Sequence, residues 1–179
     1  VVLEAGLPSP SAWFKVWGSR ADDVWFCGID GALLHWDGTA FEAVDSGTTR
    51  NLLTLHGRPD GSLVTAVGGA FSATLVESAA GGAWTDVTPT GDVPLQTFGV
   101  YHRDQAAWAV GMQAVVLRRD DAGWHPEDHG LEFYEDLHGV WVDPSGGVWA
   151  AGGQVIAPPY TFGGLIYKGT RPPANTITP

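Results

Sequence analysis

Cysteine is almost absent from this chain: of its 179 residues only Cys27 is one. No disulfide can form within the chain, and a lone thiol in the apolar run Val24-Trp25-Phe26-Cys27 is expected to be buried and inert. Basic residues are also scarce, nine against 20 acidic ones, for a net charge of −11. A surface of that sign repels a phosphate backbone, so nucleic acid is not expected as a partner, and solubility is the ordinary meaning of the charge. No long apolar run is present, so no membrane span is expected. The opening Val1-Val2-Leu3 has no lysine-rich, apolar leader after it, and the chain reads as mature or trimmed. Helix signals are missing as well: no stretch places apolar residues three and four apart between a cap and a closing glycine. Nucleophile elbows, phosphate loops, and EF-hand or zinc spacings are all lacking.

What is abundant is tryptophan, nine residues, and glycine, 25. Many aromatics separated by many glycines suit short strands joined by tight turns. A repeat organises them. Val24-Trp25-Phe26-Cys27-Gly28, Val64-Thr65-Ala66-Val67-Gly68, Ala107-Trp108-Ala109-Val110-Gly111 and Val148-Trp149-Ala150-Ala151-Gly152 share one pattern, with glycines 40, 43 and 41 residues apart. An apolar element precedes each, at Val16, Leu55, Val100 and Val140, with steps of 39, 45 and 40. A third element follows each glycine: Ala32–Trp36, Ala73–Glu77, Ala114–Arg118 and Gly164–Lys168. A fourth begins at Phe41, Trp84 and Trp124 in the first three units.

Four short strands recurring about every forty residues is the arithmetic of a β-propeller blade. One such meander cannot bury both faces, so blades stack around an axis. A sandwich also has regular short strands, but it gives no reason for the fourth strand of one unit to resemble that of the next, as Phe41, Trp84 and Trp124 do. The expected fold is therefore all-β, four four-stranded blades in one domain over residues 1–179, with blades at about 13–47, 52–89, 96–130 and 137–169. Residues 1–6 are expected to be an outer strand and residues 170–179 a tail.

The first unit, with Val16-Trp17-Gly18-Ser19, Asp23-Val24-Trp25, His35-Trp36-Asp37-Gly38 and Ser46-Gly47-Thr48, resembles a repeat of secreted bacterial propellers. In pattern these are loosely similar to the Ycf48-like and neuraminidase-like propellers. The resemblance implies a fold and export to the periplasm, the cell surface or the medium; it implies no activity. WD40, kelch and Asp-box patterns fit worse: Trp36-Asp37 closes one unit only, Gly68-Gly69 has no match at Gly111, and Trp124 follows Gly123 too closely.

Two closures are open. Residues 1–6 can complete the last unit and close a four-bladed ring, or these blades are part of a larger ring completed by more sequence or another polypeptide. The second is favoured because the repeat resembles those of propellers with more blades.

Function is expected on the loops that share one face of the ring. The richest are residues 128–136 and 154–162, which offer Glu132, Tyr134, Glu135, Asp136, His138, Tyr160 and Phe162 as ligand-binding candidates. His129, Glu132 and Asp136 are weak metal candidates, since carboxylates and imidazole can hold cations but the spacing matches no signature. No cofactor and no catalytic residue is expected. His56 and His102, on inner strands, read as neutral, hydrogen-bonded structural histidines. The expected function is a non-enzymatic binding or scaffold module whose partner is another protein or further propeller blades. The alternatives are a carbohydrate-binding propeller, with ring-mouth aromatics stacking on a glycan, and a propeller lyase or glycosidase using Glu132, Glu135, Asp136 or His138.

Overall fold

The computed structural model describes residues 12–91, 94–130 and 135–154, and the backbone of 164–168. The chain is an all-β propeller array. β1 (Trp13–Arg20), β2 (Asp23–Gly28), β3 (Leu33–Trp36) and β4 (Phe41–Val44) form the first antiparallel sheet, in chain order. β5 (Leu52–Gly57), β6 (Leu63–Gly69), β7 (Ala73–Ala79) and β8 (Thr85–Asp86) form the second. β9 (Thr97–Arg103), β10 (Ala106–Gly111), β11 (Val116–Asp120) and β12 (Gly123–Pro126) form the third. β13 (Leu137–Val142), β14 (Val148–Gly152) and β15 (Gly164–Lys168) form the fourth, three-stranded among the described residues. Residues 1–6 and 170–179 lie outside the described residues, so the strand and tail expected there do too.

The four repeat glycines occupy one environment. A Cβ on Gly28, Gly68, Gly111 or Gly152 would lie 2.4, 2.1, 2.0 or 1.9 Å from the carbonyl oxygen of Ala12, Asn51, Gln96 or Asp136 respectively. In each blade that carbonyl, just before the innermost strand, accepts the N–H that follows the glycine: Ile29, Gly69, Met112 and Gly153, at 2.7–3.1 Å. A side chain would push the two backbones apart, which explains glycine at a spacing of about forty. Gly68→Ala is expected to cost about 1–3 kcal/mol, the range of forced overpacking, read as a lower urea midpoint with unchanged slope. An unchanged midpoint would show that this approach is not as close as described.

Two elements differ from the sequence expectation. Ile29–Gly31 and Met112–Ala114 are single 3₁₀ turns, and the third strands after them begin at Leu33 and Val116, later than the expected Ala32 and Ala114. Asp30 and Gln113 adopt left-handed backbone there (φ 56° and 51°), which no apolar pattern signals.

Between blades lie three separate cores. Residues alternate along each strand between the face toward the following blade and the face toward the preceding one. Trp25, Cys27 and Leu33 meet Leu52, Leu55, Ala66, Val76 and Trp84. Val67 and Leu75 meet Val100, Ala109, Leu117 and Trp124. Val110 and Val116 meet Leu137, Val140 and Ala150. Equivalent positions therefore play equivalent parts: Cys27, Val67 and Val110 face forward, while Ala66, Ala109 and Ala150 face back. Burial pushes the Cys27 thiol up to about 12, so it is unreactive near neutrality.

The joints between blades and a candidate binding groove

The innermost strands stand side by side in the order β1, β5, β9, β13. A polar clip spans each joint near the repeat glycines. The Asn51 side chain accepts the Asp30 N–H (3.0 Å), and the Asp136 carboxylate accepts the Gln113 N–H (3.1 Å). At the middle joint the Gln96 amide donates to the Gly69 carbonyl (3.0 Å). The equivalent position before β1 is Ala12, which has no polar side chain.

The middle joint holds a buried charge network. Glu77, on β7, accepts hydrogen bonds from the Trp124 indole N–H (2.7 Å), the Thr65 hydroxyl (2.9 Å) and Arg119 Nε (2.8 Å). All four side chains face the joint because 65 and 77 point forward from blade two, and 119 and 124 point back from blade three. Thr65 has one proton, committed to an acceptor-only carboxylate, so His102 Nε2, 2.7 Å from Thr65 Oγ1, carries its own proton and donates it. The His102 backbone N–H in turn donates to His56 Nδ1 (3.1 Å). Burial drives both imidazoles down from 6.5, to about 3 for His102 and about 4 for His56, helped by neighbouring positive charge. Both rings are neutral at physiological pH.

A hydroxyl, an imidazole and a carboxylate in contact invite comparison with a catalytic triad. The order is wrong: the carboxylate bonds to the hydroxyl and not to the far side of the imidazole. Thr65 is also fully buried, out of reach of any substrate. The network fastens two blades.

Blade one carries a polar set of its own, which stays within the blade. Asp23 accepts from Trp25 Nε1 (3.0 Å), from His35 Nε2 (2.9 Å) and from the Ser19 hydroxyl. Burial alone would raise its carboxyl, but these three donors outweigh burial and hold it below the usual carboxylate range. The His35 ring stacks on Trp25 with centroids 4.1 Å apart.

The sequence-predicted site residues fall as follows. Glu135 and Asp136 precede β13; the Glu135 carbonyl accepts the Ala114 N–H (2.9 Å), and the Asp136 side chain is the clip already described. His138 stacks on Phe98 (5.0 Å) and donates to the Gly153 carbonyl (3.1 Å). His129 lines a narrow apolar slot with Trp108, Val110, Val116, Glu127, Val148 and Ala150. These four therefore gather at the joint between blades three and four. Glu132, Tyr134, Tyr160 and Phe162 lie outside the described residues. No three His, Cys, Asp or Glu side chains among the described residues converge as metal ligands.

A groove of about 500 Å³ opens elsewhere, between the loops of blades one and two. Thr48, Arg50, Ser72, Thr74, Asp86, Thr88 and Thr90 line it. Arg50 Nη1 donates to Ser72 Oγ (2.8 Å), which fixes the guanidinium on its wall. Phe71, next to Ser72 in the chain, is 86% exposed. Sequence reasoning passed over this groove, although Thr48-Thr49-Arg50 and Thr88-Pro89-Thr90 sit in the two loops that lead from one blade to the next.

Four radial sheets, each packed face to face on its neighbour through a repeated joint, define a β-propeller. Among solved structures the chain is similar to YCF48 from Cyanidioschyzon merolae, with a TM-score of 0.61 and 16% identity, over 93% of this chain and 60% of that one. At that identity the likeness concerns fold alone, and the chain spans about 60% of the length of the protein it resembles. No family model and no curated protein matches the chain.

Proposed function

We propose that the chain is a protein-binding scaffold, a propeller module that engages other polypeptide through the outer faces of its first and last blades. One observation carries this. Val16 on β1 is 53% exposed, whereas the equivalent Leu55 and Val100 are buried. Trp141 on β13 is 48% exposed, and Ala151 is exposed where Cys27, Val67 and Val110 are fully buried. Residues of the type that the internal joints cover stand open at both ends, and uncovered apolar sheet faces of this kind mark interaction surfaces.

The test places a benzophenone side chain at Trp141, at Val16 and, as a control away from these faces, at Phe71. Irradiation of the folded protein is expected to yield covalent adducts with polypeptide from positions 141 and 16. Adducts from position 71 only would overturn the reading and shift recognition to the loop face.

A second reading is favoured by Phe71. An exposed ring beside a groove lined by hydroxyls, a guanidinium and a carboxylate has the chemistry of a glycan site. A glycan array separates the two readings: saturable binding lost in Phe71→Ala and Arg50→Ala supports the sugar, and no binding removes it.

A further inference from the structure

The two uncovered faces are the two halves of the same joint, which the chain builds three times internally. Blade four presents the forward half. Its Trp141, Trp149 and Ala151 stand where blade one has Trp17, Trp25 and Cys27. The Trp149 indole N–H is held by Asp143 (2.9 Å), as that of Trp25 is held by Asp23 (3.0 Å). Blade one presents the backward half. Its Val16, exposed, and Phe41, half-buried, stand where blade two has Leu55 and Trp84, whereas Leu34, at the place of Val76, is already buried within the chain.

The sizes of the residues on the two open halves are complementary. Internally, a Cys or Val faces forward and an Ala faces back into the same core: Cys27 with Ala66, Val67 with Ala109, Val110 with Ala150. At the open ends the order reverses. The forward residue is Ala151, and the backward one is Phe26, which packs edge to face with Trp13 (6.3 Å) and Phe41 (6.0 Å). A bulky aromatic opposite a small residue suits a joint between these two halves and would overfill any internal one.

Within one copy the two halves do not meet: β1 and β13 make no substantial contact among the described residues. We propose that a second copy of this chain is the occupant, blade four of each copy packing on blade one of the other. Two such joints close one ring and leave no outer face uncovered, as a closed two-fold assembly requires. The new joints lack the clip, because Ala12 stands where Asn51, Gln96 and Asp136 stand internally. They are therefore the separable joints of the ring. This inference rests on the scaffold reading and names its partner.

Sedimentation equilibrium on the 179-residue chain tests it, with concentration varied from about 1 to about 100 µM because assembly follows mass action. The expected species has twice the 18.9 kDa chain mass. Trp141→Glu and Val16→Glu, both at exposed positions, are each expected to be folded monomers by near-ultraviolet circular dichroism. Mixed together they are expected to pair, because one joint in the mixed dimer then has two unaltered halves. A wild-type monomer across the whole range would overturn the proposal. So would a variant that remains dimeric by itself, which indicates a face packing on its own copy, or a mixture that stays monomeric. If the wild type is monomeric while position 141 still forms adducts with another protein, the scaffold reading stands and the second copy falls.

Discussion

Acidification from about pH 7 to about pH 4.5 is expected to remove about 4–5 kcal/mol of folding stability, an effect carried by His56 and His102. In the unfolded chain both imidazoles titrate near about 6.5, whereas in the fold burial holds them at about 4 and about 3. The unfolded state therefore binds protons first. Stability is full above the unfolded value and falls as pH drops through it, at up to about 1.4 kcal/mol per pH unit for each ring. The loss levels off only near the folded values, where the native state can take up the same protons. Protonation is resisted for a visible reason. His56 Nδ1 is already an acceptor for the His102 N–H, and the His102 ring lies one hydroxyl away from the Glu77–Arg119 pair. A second decline is expected below about pH 4, where Asp23 and Asp143, whose carboxyls are held low by their hydrogen bonds, lose the advantage they have above the unfolded value. Urea midpoints measured at intervals between these limits check the prediction. His102→Gln, whose amide can still donate to Thr65, should reduce the upper decline by about half. Flat stability down to about pH 5 would mean that the rings are not buried and neutral as described.

The second large effect concerns Glu77. Replacing it by alanine strips an acceptor from Trp124 and Thr65 and leaves the Arg119 guanidinium, only 20% exposed, without its carboxylate. Breaking a buried pair from one side costs about 3–5 kcal/mol, most of it the penalty of the orphaned charge. The double variant Glu77→Leu with Arg119→Met removes both charges and is expected to recover much of that loss. If the single variant costs less than about 1 kcal/mol, the middle joint is held by its apolar core alone. Recovery in the double variant would mean that the network fixes how blades two and three register and adds little net stability.

Much of the repeat is legible in the sequence alone. Periodicity placed the strands because each blade must solve the same burial problem with the same alternation. The four glycines proved to be one structural position because one carbonyl crosses each of them. The aromatic at Phe41, Trp84 and Trp124 marks the fourth strand, and its backward-facing ring covers the preceding blade at Trp84 and Trp124. His56 and His102 were legible as structural histidines, but their partners were not. His102 meets Thr65 across 37 positions of chain, and Glu77 meets Arg119 across 42. Neither pair shares a motif, and each exists only because one blade faces another.

Asp136 and His138 have structural contacts that their loop composition did not show. A cluster of acids and histidines in a loop suggests ligand chemistry on paper. In the fold, Asp136 reaches back to a left-handed turn of the preceding blade, and His138 stacks on Phe98 and donates to a backbone carbonyl. Composition does not show which side chains reach across a joint.

By itself, then, the sequence determined the repeat length, the all-β class, the strand order within each blade and the glycine that each blade needs, since all of these follow from local alternation and close backbone approach. Which face of each strand is covered, which polar residues meet across a joint, and which two faces are left open were decided only by the tertiary structure. The physical reason is distance along the chain: a side chain's neighbours in the next blade are about forty residues away, and only the radial packing of whole sheets brings them together.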